Sequence, residues 1–370
     1  MSLHAPCKDL SSTKQDCYGF ARAPETIEKN QYGRFKNVYL YITEKCQLRC
    51  GHCYMGKRLD GEVMMSKEKI FSTLTFWRKM WGSKLSILGG EPTMHPDFIE
   101  ICRYAKQLGY EKVILNTNGL RQTLKQLNQM DPQDFSYVQV SLDGGSPSTH
   151  DLTRGNGTFN IALNTTKILA ERGFDTRVIC TVNKQNRKDC LDLISICEEA
   201  KVSLLKFHIF STIGTGKKNE EWGMTSREWI EFYTSLDGRN HDGKLQVWYQ
   251  PTYATREMIK KYTAEGYKGC IGRTLDRISI FPDGRAYVCS YLFDTNLNMF
   301  TVKDDKPVLN KGENEFDLFC SAMTNERCGH CHYSKSCMGG CPAEELIEGA
   351  SACGDDHEIV PVCRLWKSAF

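Results

Sequence analysis

The sequence predicts an α/β protein: a partial (β/α)6 barrel built on a parallel sheet covered by helices, followed by a loop-rich C-terminal region carrying one β-hairpin. Three observations predict it. Six apolar, strand-like runs alternate with single helical stretches between residues 37 and 210. The unusual residues cluster at the C-terminal ends of those runs. Cysteines crowd two places, with Cys46, Cys50 and Cys53 near the start and Cys270, Cys289, Cys328, Cys331, Cys337, Cys341 and Cys363 in the last quarter. Strands apolar on both faces and joined by helices long enough for right-handed crossovers make a parallel sheet, whose site lies in the loops beyond the strand C-termini.

The elements follow in order. The strand runs are NVYLYIT (37–43), LSILGG (85–90), KVILNTN (112–118), YVQVSLDG (137–144), TRVICTVN (176–183) and SLLKFHIF (203–210). Helical periodicity spans 66–80, 97–108, 159–172 and 188–200, and again 226–236. Past residue 217 the chain turns charged and turn-rich (GTGKKNEEWG, RNHDGK). This divides it into an N-terminal extension (1–36), the barrel (37–240), a bridging region (241–268) and a cysteine-rich domain (269–370). In the last, ISIFPDGRAYVC (278–289) reads as a hairpin with Pro-Asp-Gly turn chemistry. The rest is poor in aliphatic residues and can be ordered by metal clusters in place of a core.

Composition narrows the classes. The 370 residues, 40% hydrophobic and 25% charged, are those of a folded globular protein. Lys+Arg 48 against Asp+Glu 45 leaves a net charge of +3, which names neither nucleic acid nor an anionic membrane as partner. No run of eighteen apolar residues and no export signal are present, so the expected location is the cytoplasm. The outlier is 18 cysteines. In a long chain without an export signal they read as reduced thiols or metal ligands. Most of the scattered ones (Cys7, Cys17, Cys102, Cys180, Cys190, Cys197, Cys320, Cys353) read as small core hydrophobes.

Cys46-Gln-Leu-Arg-Cys50-Gly-His-Cys53 is C-x3-C-x2-C on the loop after the first strand, followed by Tyr54. Three thiolates so spaced can face one iron-sulfur cube and leave its fourth iron open. A zinc site completed by His52 is the alternative on spacing alone. The motif, its position and Tyr54 resemble the radical S-adenosylmethionine (radical SAM) superfamily, whose fold is a partial TIM-type barrel. The resemblance extends to Gly89-Gly90-Glu91-Pro92 after the second strand, where it implies that a glycine-rich backbone and a carboxylate receive the SAM ammonium group. It extends also to the Asn116–Gly119 loop with Asn118, and to Ser141-Leu142-Asp143-Gly144 followed by His150-Asp151-x-x-Arg154-Gly155-x-Gly157-x-Phe159. It implies that Ser141, Asp143 and Asn183 meet the ribose or methionine part of SAM and that Arg154 pairs with a carboxylate; the alternative for Arg154 is a surface ion pair with Asp151.

The C-terminal spacing, Cys270-x13-Gly284-x4-Cys289, then Cys328-x2-Cys331-x5-Cys337-x3-Cys341, then Cys363, resembles the SPASM extension of radical SAM enzymes. The resemblance spans about 37–366. It implies two auxiliary [4Fe-4S] clusters: an outer one on Cys328, Cys331, Cys337 and Cys363, and an inner one on Cys270, Cys289 and Cys341. With the SAM-binding cluster this makes three, supplied by a low-potential donor such as ferredoxin or flavodoxin. Sulfatase-maturing members carry a fourth inner cysteine where Asp276 or a neighbour stands here, and an aspartate where this chain has Ser290. Both departures point away from sulfatase maturation.

The function so implied is that of an oxidoreductase generating a 5'-deoxyadenosyl radical to take hydrogen from a substrate carbon. The substrate class expected is a ribosomally made peptide, oxidised or cross-linked in RiPP biosynthesis. The alternative is a dehydrogenase or epimerase acting on an aminocyclitol, sugar or amino-acid derivative, which the lack of a leader-binding module among the 36 residues before the first strand favours. A zinc-binding, non-enzymatic module is the remote third. No catalytic acid or base is assigned; His208, Trp248, Tyr249, Tyr253 and Tyr291 are candidates for the cavity wall.

Overall fold

The computed structural model describes residues 35–237, 245–249, 253–264, 276–303, 306–309, 343 and 359–361. Its first part is a run of strand and helix: β1 (Asn37–Tyr41), α1 (Lys67–Lys79), β2 (Lys84–Leu88), α2 (Phe98–Gln107), β3 (Lys112–Thr117), α3 (Arg121–Leu127), β4 (Tyr137–Ser141), α4 (Pro147–Arg154), α5 (Thr158–Glu171), β5 (Thr176–Val182), α6 (Leu193–Glu199), β6 (Leu204–Ile209) and α7 (Ser226–Asp237). There follow β7 (Gln246–Tyr249), β8 (Tyr253–Thr255), α8 (Arg256–Ala264), β9 (Arg277–Ile280), β10 (Arg285–Tyr287), β11 (Phe300–Lys303), β12 (Lys306–Leu309) and β13 (Ile359–Pro361).

All six expected strands form, in sequence order and parallel. The sheet is larger than six. Strand β7 extends it beside β6, β9 runs parallel to β1 on the other side, and β10 to β12 continue it antiparallel, giving eleven strands in the order β12-β11-β10-β9-β1-β2-β3-β4-β5-β6-β7. Strands β12 and β7 are its edges among the described residues. The hairpin expected over 278–289 is the β9–β10 pair, closed by a turn in which Gly284 N–H donates to the Phe281 carbonyl at 2.9 Å. Gly284 sits there at φ +88, which favours glycine.

The expectation of strands apolar on both faces is corrected. Side chains alternate along a strand. In β1, Val38 and Leu40 are buried in the aliphatic core while Tyr39 and Tyr41 turn to the other face. In β6, Leu205 and Phe207 are buried and Lys206 and His208 turn the other way. The aliphatic face packs against the helices. The polar and aromatic face lines a cavity and not a filled core, which is why its residues need not be hydrophobic.

Helix α1 shows how the layers join. Ser66 caps it by accepting from Lys69 N–H at 3.3 Å, and Ile70, Leu74 and Trp77, at i, i+4 and i+7, form its buried stripe. Trp77 meets Phe35 and Phe300 edge to face, with centroids 5.3 and 5.6 Å away, so β11 contributes to the same core as α1. No described helix is long and apolar enough to cross a membrane.

Candidate functional site

The loop that follows β1 brings Cys46, Cys50 and Cys53 to the wall of a cavity of about 360 Å³ at the C-terminal ends of the parallel strands. Both sides of the loop are pinned. Gly51 N–H donates to the Thr153 carbonyl at the end of α4 (2.8 Å), Thr215 N–H donates to the Cys53 carbonyl (2.8 Å), and Asn219 Nδ2 donates to the Gly51 carbonyl (2.8 Å). Burial pushes the Cys46 thiol up to about 11 and the Cys50 thiol up to about 12, and raises Cys53 as well; the three thiols also oppose one another's ionisation. One buried and two half-buried thiols whose ionised forms repel one another are a donor set that ionises together only around a cationic centre. Among the described residues no three His, Cys, Asp or Glu side chains converge closely enough for a single metal ion. Three cysteine thiols presented by one loop are soft donors of the kind an iron-sulfur cluster takes. His52 turns instead to Asp143 and Arg154, with Nε2 3.5 Å from Asp143 Oδ2 and from Arg154 Nη2, and burial lowers it to about 4.

The loop after β2 lies directly against the thiol loop. Gly90 N–H donates to the Thr43 carbonyl and Glu91 N–H to the Lys45 carbonyl, both at 2.8 Å. A Cβ at Gly90 would stand 2.5 Å from the carbonyl oxygens of Glu44 and Lys45 and 2.8 Å from Cys46 Cβ; one at Gly89 would stand 2.5 Å from the Thr43 oxygen. These glycines are thus required by loop-to-loop packing, in addition to lining the cavity.

Glu91 is fully buried at the cavity wall. Its Oε1 accepts from Thr93 N–H (3.2 Å), the Thr93 hydroxyl (2.6 Å) and the Thr117 hydroxyl (2.8 Å), and its Oε2 accepts from Asn118 N–H (2.8 Å). Burial raises its pKa more than these bonds lower it. The carboxylate ties the β2 and β3 loops together, and Oε2 keeps acceptor capacity. Asn118 completes this side, with Nδ2 4.0 Å from Cys46 Sγ. Tyr54, whose hydroxyl donates to that of Tyr41 at 2.6 Å, and Ser141 also line the cavity.

Asp143, Arg154 and Asn183 form a second layer that only Arg154 bridges to the cavity. Asp143 Oδ2 accepts from Arg154 Nε at 2.5 Å and Oδ1 from Thr181 N–H at 2.7 Å, with the carboxyl at 0% exposure. Burial raises Asp143, but Arg154, His52, His150 and the Thr181 N–H together outweigh it and hold the carboxyl below its usual range. The alternative for Arg154, a surface pair with Asp151, is not formed; Asp151 accepts from the N–H groups of Gly157 (2.7 Å) and Phe159 (2.9 Å) where α5 begins. Asn183 accepts from Gln185 N–H at 2.8 Å and shapes the turn after β5, so neither it nor Asp143 faces the cavity.

From the C-terminal region, Cys289, Ser290 and Tyr291 reach the same cavity. Cys270, Cys328, Cys331, Cys337, Cys341 and Cys363 lie outside the described residues, as does Cys320. Arg58 fastens the two halves of the wall: it donates to Glu44 (2.7 Å), Asp283 (2.5 Å) and the Phe293 carbonyl (2.9 Å) and lies over the rings of Phe281 and Phe293. Of the aromatic and histidine candidates, His208 and Tyr291 line the cavity and Trp248, Tyr249 and Tyr253 do not; Tyr249 stacks on Tyr233 at 4.6 Å. The sequence reading missed Tyr39, Tyr137, Gln139, Lys206 and Arg277, all in the cavity wall. Their signal was the odd polar or aromatic residue at every second position of an aliphatic strand.

Residues 40–197, which carry the three-thiol loop after β1 and the Gly-Gly-Glu loop after β2, match the Radical SAM superfamily model. The chain is related to the mycofactocin maturase MftC of Mycobacterium tuberculosis, 26% identical over 348 residues, covering 91% of this chain and 86% of that protein. It is similarly related to the AdoMet-dependent heme synthase of Methanosarcina barkeri, 27% identical, covering 87% and 94%. Among solved structures, Streptococcus suis SuiB bound to precursor peptide SuiA shares the fold, with a TM-score of 0.66 at 19% identity over 90% of this chain and 75% of that one.

Proposed function

We propose that the protein cleaves SAM at a cluster held by Cys46, Cys50 and Cys53 and oxidatively modifies or cross-links a ribosomally made peptide. The observation that carries the radical chemistry is the convergence of the three thiols, the Gly89–Glu91 loop, Asn118 and Ser141 on one cavity. When bound, the cluster and SAM supply a 5'-deoxyadenosyl radical able to take hydrogen from an unactivated carbon. The chain's own residues hold and shield. Tyr54, Gly89, Gly90, Glu91, Asn118, Ser141 and Arg154 are the SAM-facing set; Asp143 fixes Arg154, and Asn183 acts at a distance through the turn it shapes. Tyr39, Tyr41, Leu88, Tyr137 and Ile179 keep water from the reacting centre. Two auxiliary [4Fe-4S] clusters, the inner on Cys270, Cys289 and Cys341 and the outer on Cys328, Cys331, Cys337 and Cys363, would accept the electron left by net oxidation, and a ferredoxin or flavodoxin would deliver the first one. The peptide reading rests on MftC and on the SuiB fold.

One observation favours the second reading, a small-molecule dehydrogenase or epimerase: a cavity of about 360 Å³ is within the range of small-ligand sites. Anaerobically reconstituted protein, supplied with SAM and dithionite, separates the two. The peptide fraction of its host should raise 5'-deoxyadenosine formation above the unstimulated level and yield a peptide lighter by two hydrogens. Stimulation by the small-metabolite filtrate alone would establish the second reading.

A further inference from the structure

Lys206 stands in the middle of β6, in register between Ile179 of β5 and Trp248 of β7, with its side chain in the cavity wall. An ammonium between aliphatic and aromatic neighbours is costly unless an anion joins it. None does so here among the described residues. Arg154, the cation on the thiol side, is neutralised by Asp143, and Glu91, the carboxylate in the cavity wall, is held by four donors of the β2 and β3 loops. Burial lowers the Lys206 ammonium to about 8, and among the described residues no carboxylate forms an ion pair with it. The thiols, by contrast, feel one another, Arg154 and Glu91. Lys206 belongs to a different wall from the cluster loop, since in the sheet order β6 is five strands from β1. The other titratable groups of the cavity wall include His208, Tyr39, Tyr137 and Arg277; an imidazole, phenols and a guanidinium, none of which is an anion at neutral pH.

From this juxtaposition we infer that Lys206 is the anchor for a carboxylate of the substrate, so that the cavity selects substrates presenting a carboxylate to its β6 wall. The inference deepens the radical SAM reading and rests on it, since it takes the cavity to be the place where substrate meets SAM. At neutral pH the amine is still mostly protonated and ready to receive the anion, whose arrival supplies the charge partner that the fold withholds. A charged hydrogen bond of this kind is worth about a ten- to hundredfold preference over a neutral isostere.

The test uses the full chain, anaerobically reconstituted and loaded with SAM, and a matched pair of probes, 3-phenylpropionate and 3-phenylpropionamide, titrated by calorimetry. The acid should bind at least about tenfold more tightly than the amide. Lys206→Met should erase that preference, and Lys206→Arg should keep a good part of it. Because Lys206→Met removes a desolvated charge, it should fold at least as well as the parent, which thermal unfolding checks. Equal binding of acid and amide, no binding of either, or an undiminished preference in Lys206→Met overturns the assignment. So does a Lys206→Met protein in which affinity for SAM falls instead, because the carboxylate would then be the one on SAM. Formation of 5'-deoxyadenosine by the wild-type preparation is read separately: its failure would count against the radical SAM reading, whereas the acid-to-amide ratio reports on Lys206.

Discussion

Replacing Asp143 by asparagine should destabilise the protein by about 3–5 kcal/mol, the cost of breaking a buried ion pair from one side. The magnitude follows from the geometry. The carboxyl has no exposure, one oxygen accepts from Arg154 Nε at 2.5 Å and the other from Thr181 N–H at 2.7 Å. Asparagine keeps an oxygen for Thr181, so the loss isolates the charge. At an effective dielectric of about 20 a pair some 4 Å apart attracts by about 4 kcal/mol, in line with the first figure. For a unit of about 200 residues this lowers the midpoint of thermal unfolding by about 6–20 °C. The assay is far-UV circular dichroism of anaerobically reconstituted protein. The double variant Asp143→Asn, Arg154→Met should recover at least half of the loss, because no charge is then left buried and alone. If Asp143→Asn alone costs less than about 1 kcal/mol, Arg154 is solvated through the cavity and the paired, buried layer described above is wrong.

Replacing Cys46, Cys50 and Cys53 together by alanine should remove about four irons and end 5'-deoxyadenosine formation, with iron analysis and chromatography as the measurements. Gly90→Ala should lower iron loading at the same site, since its Cβ falls 2.5 Å from two carbonyl oxygens and 2.8 Å from Cys46 Cβ; full loading would show that the two loops can part freely. Stability should fall as pH drops from about 6.5 toward 4. His52 and His150 are both lowered from the ordinary 6.5 to about 4, chiefly by burial, so their contribution is fully present above 6.5 and is lost as they are forced to protonate. His150 Nδ1 accepts from Asp143 N–H at 3.0 Å, which requires the neutral ring. The two together are worth roughly 6 kcal/mol over that interval, and urea unfolding at several pH values should show a flattened profile when both are replaced by asparagine.

Much of the fold was legible because strands and crossover helices announce themselves locally. The stripe of Ile70, Leu74 and Trp77 behind Ser66 marks α1, and all six parallel strands fall within a residue or a few of their expected bounds. The short polar helices α3 and α4 were not legible: RQTLKQL and PSTHDLTR carry too few apolar residues to show a period, and tertiary packing decides their state. The thiol spacing, the Gly-Gly-Glu loop and Tyr54 were legible as a site because each follows a strand, and in a parallel sheet all strand C-termini open onto one side.

What the sequence by itself determined is the alternation of elements, the side of the sheet that carries the clustered polar residues and the spacing of the three thiols on the loop after β1, since these depend on local period and spacing. What only the tertiary structure decided is which polar residues share the cavity and which stand behind it. The motif does not distinguish Ser141 from Asp143, yet residues two apart on a strand and its extension take different partners once Thr181, Arg154 and His150 close around the second. Nor does it reveal that β9 joins β1 across 239 residues, so that Arg277 and Cys289 face the same space as Cys46. Pairing between distant strands is set by register and packing in three dimensions, and no local pattern in the chain encodes it.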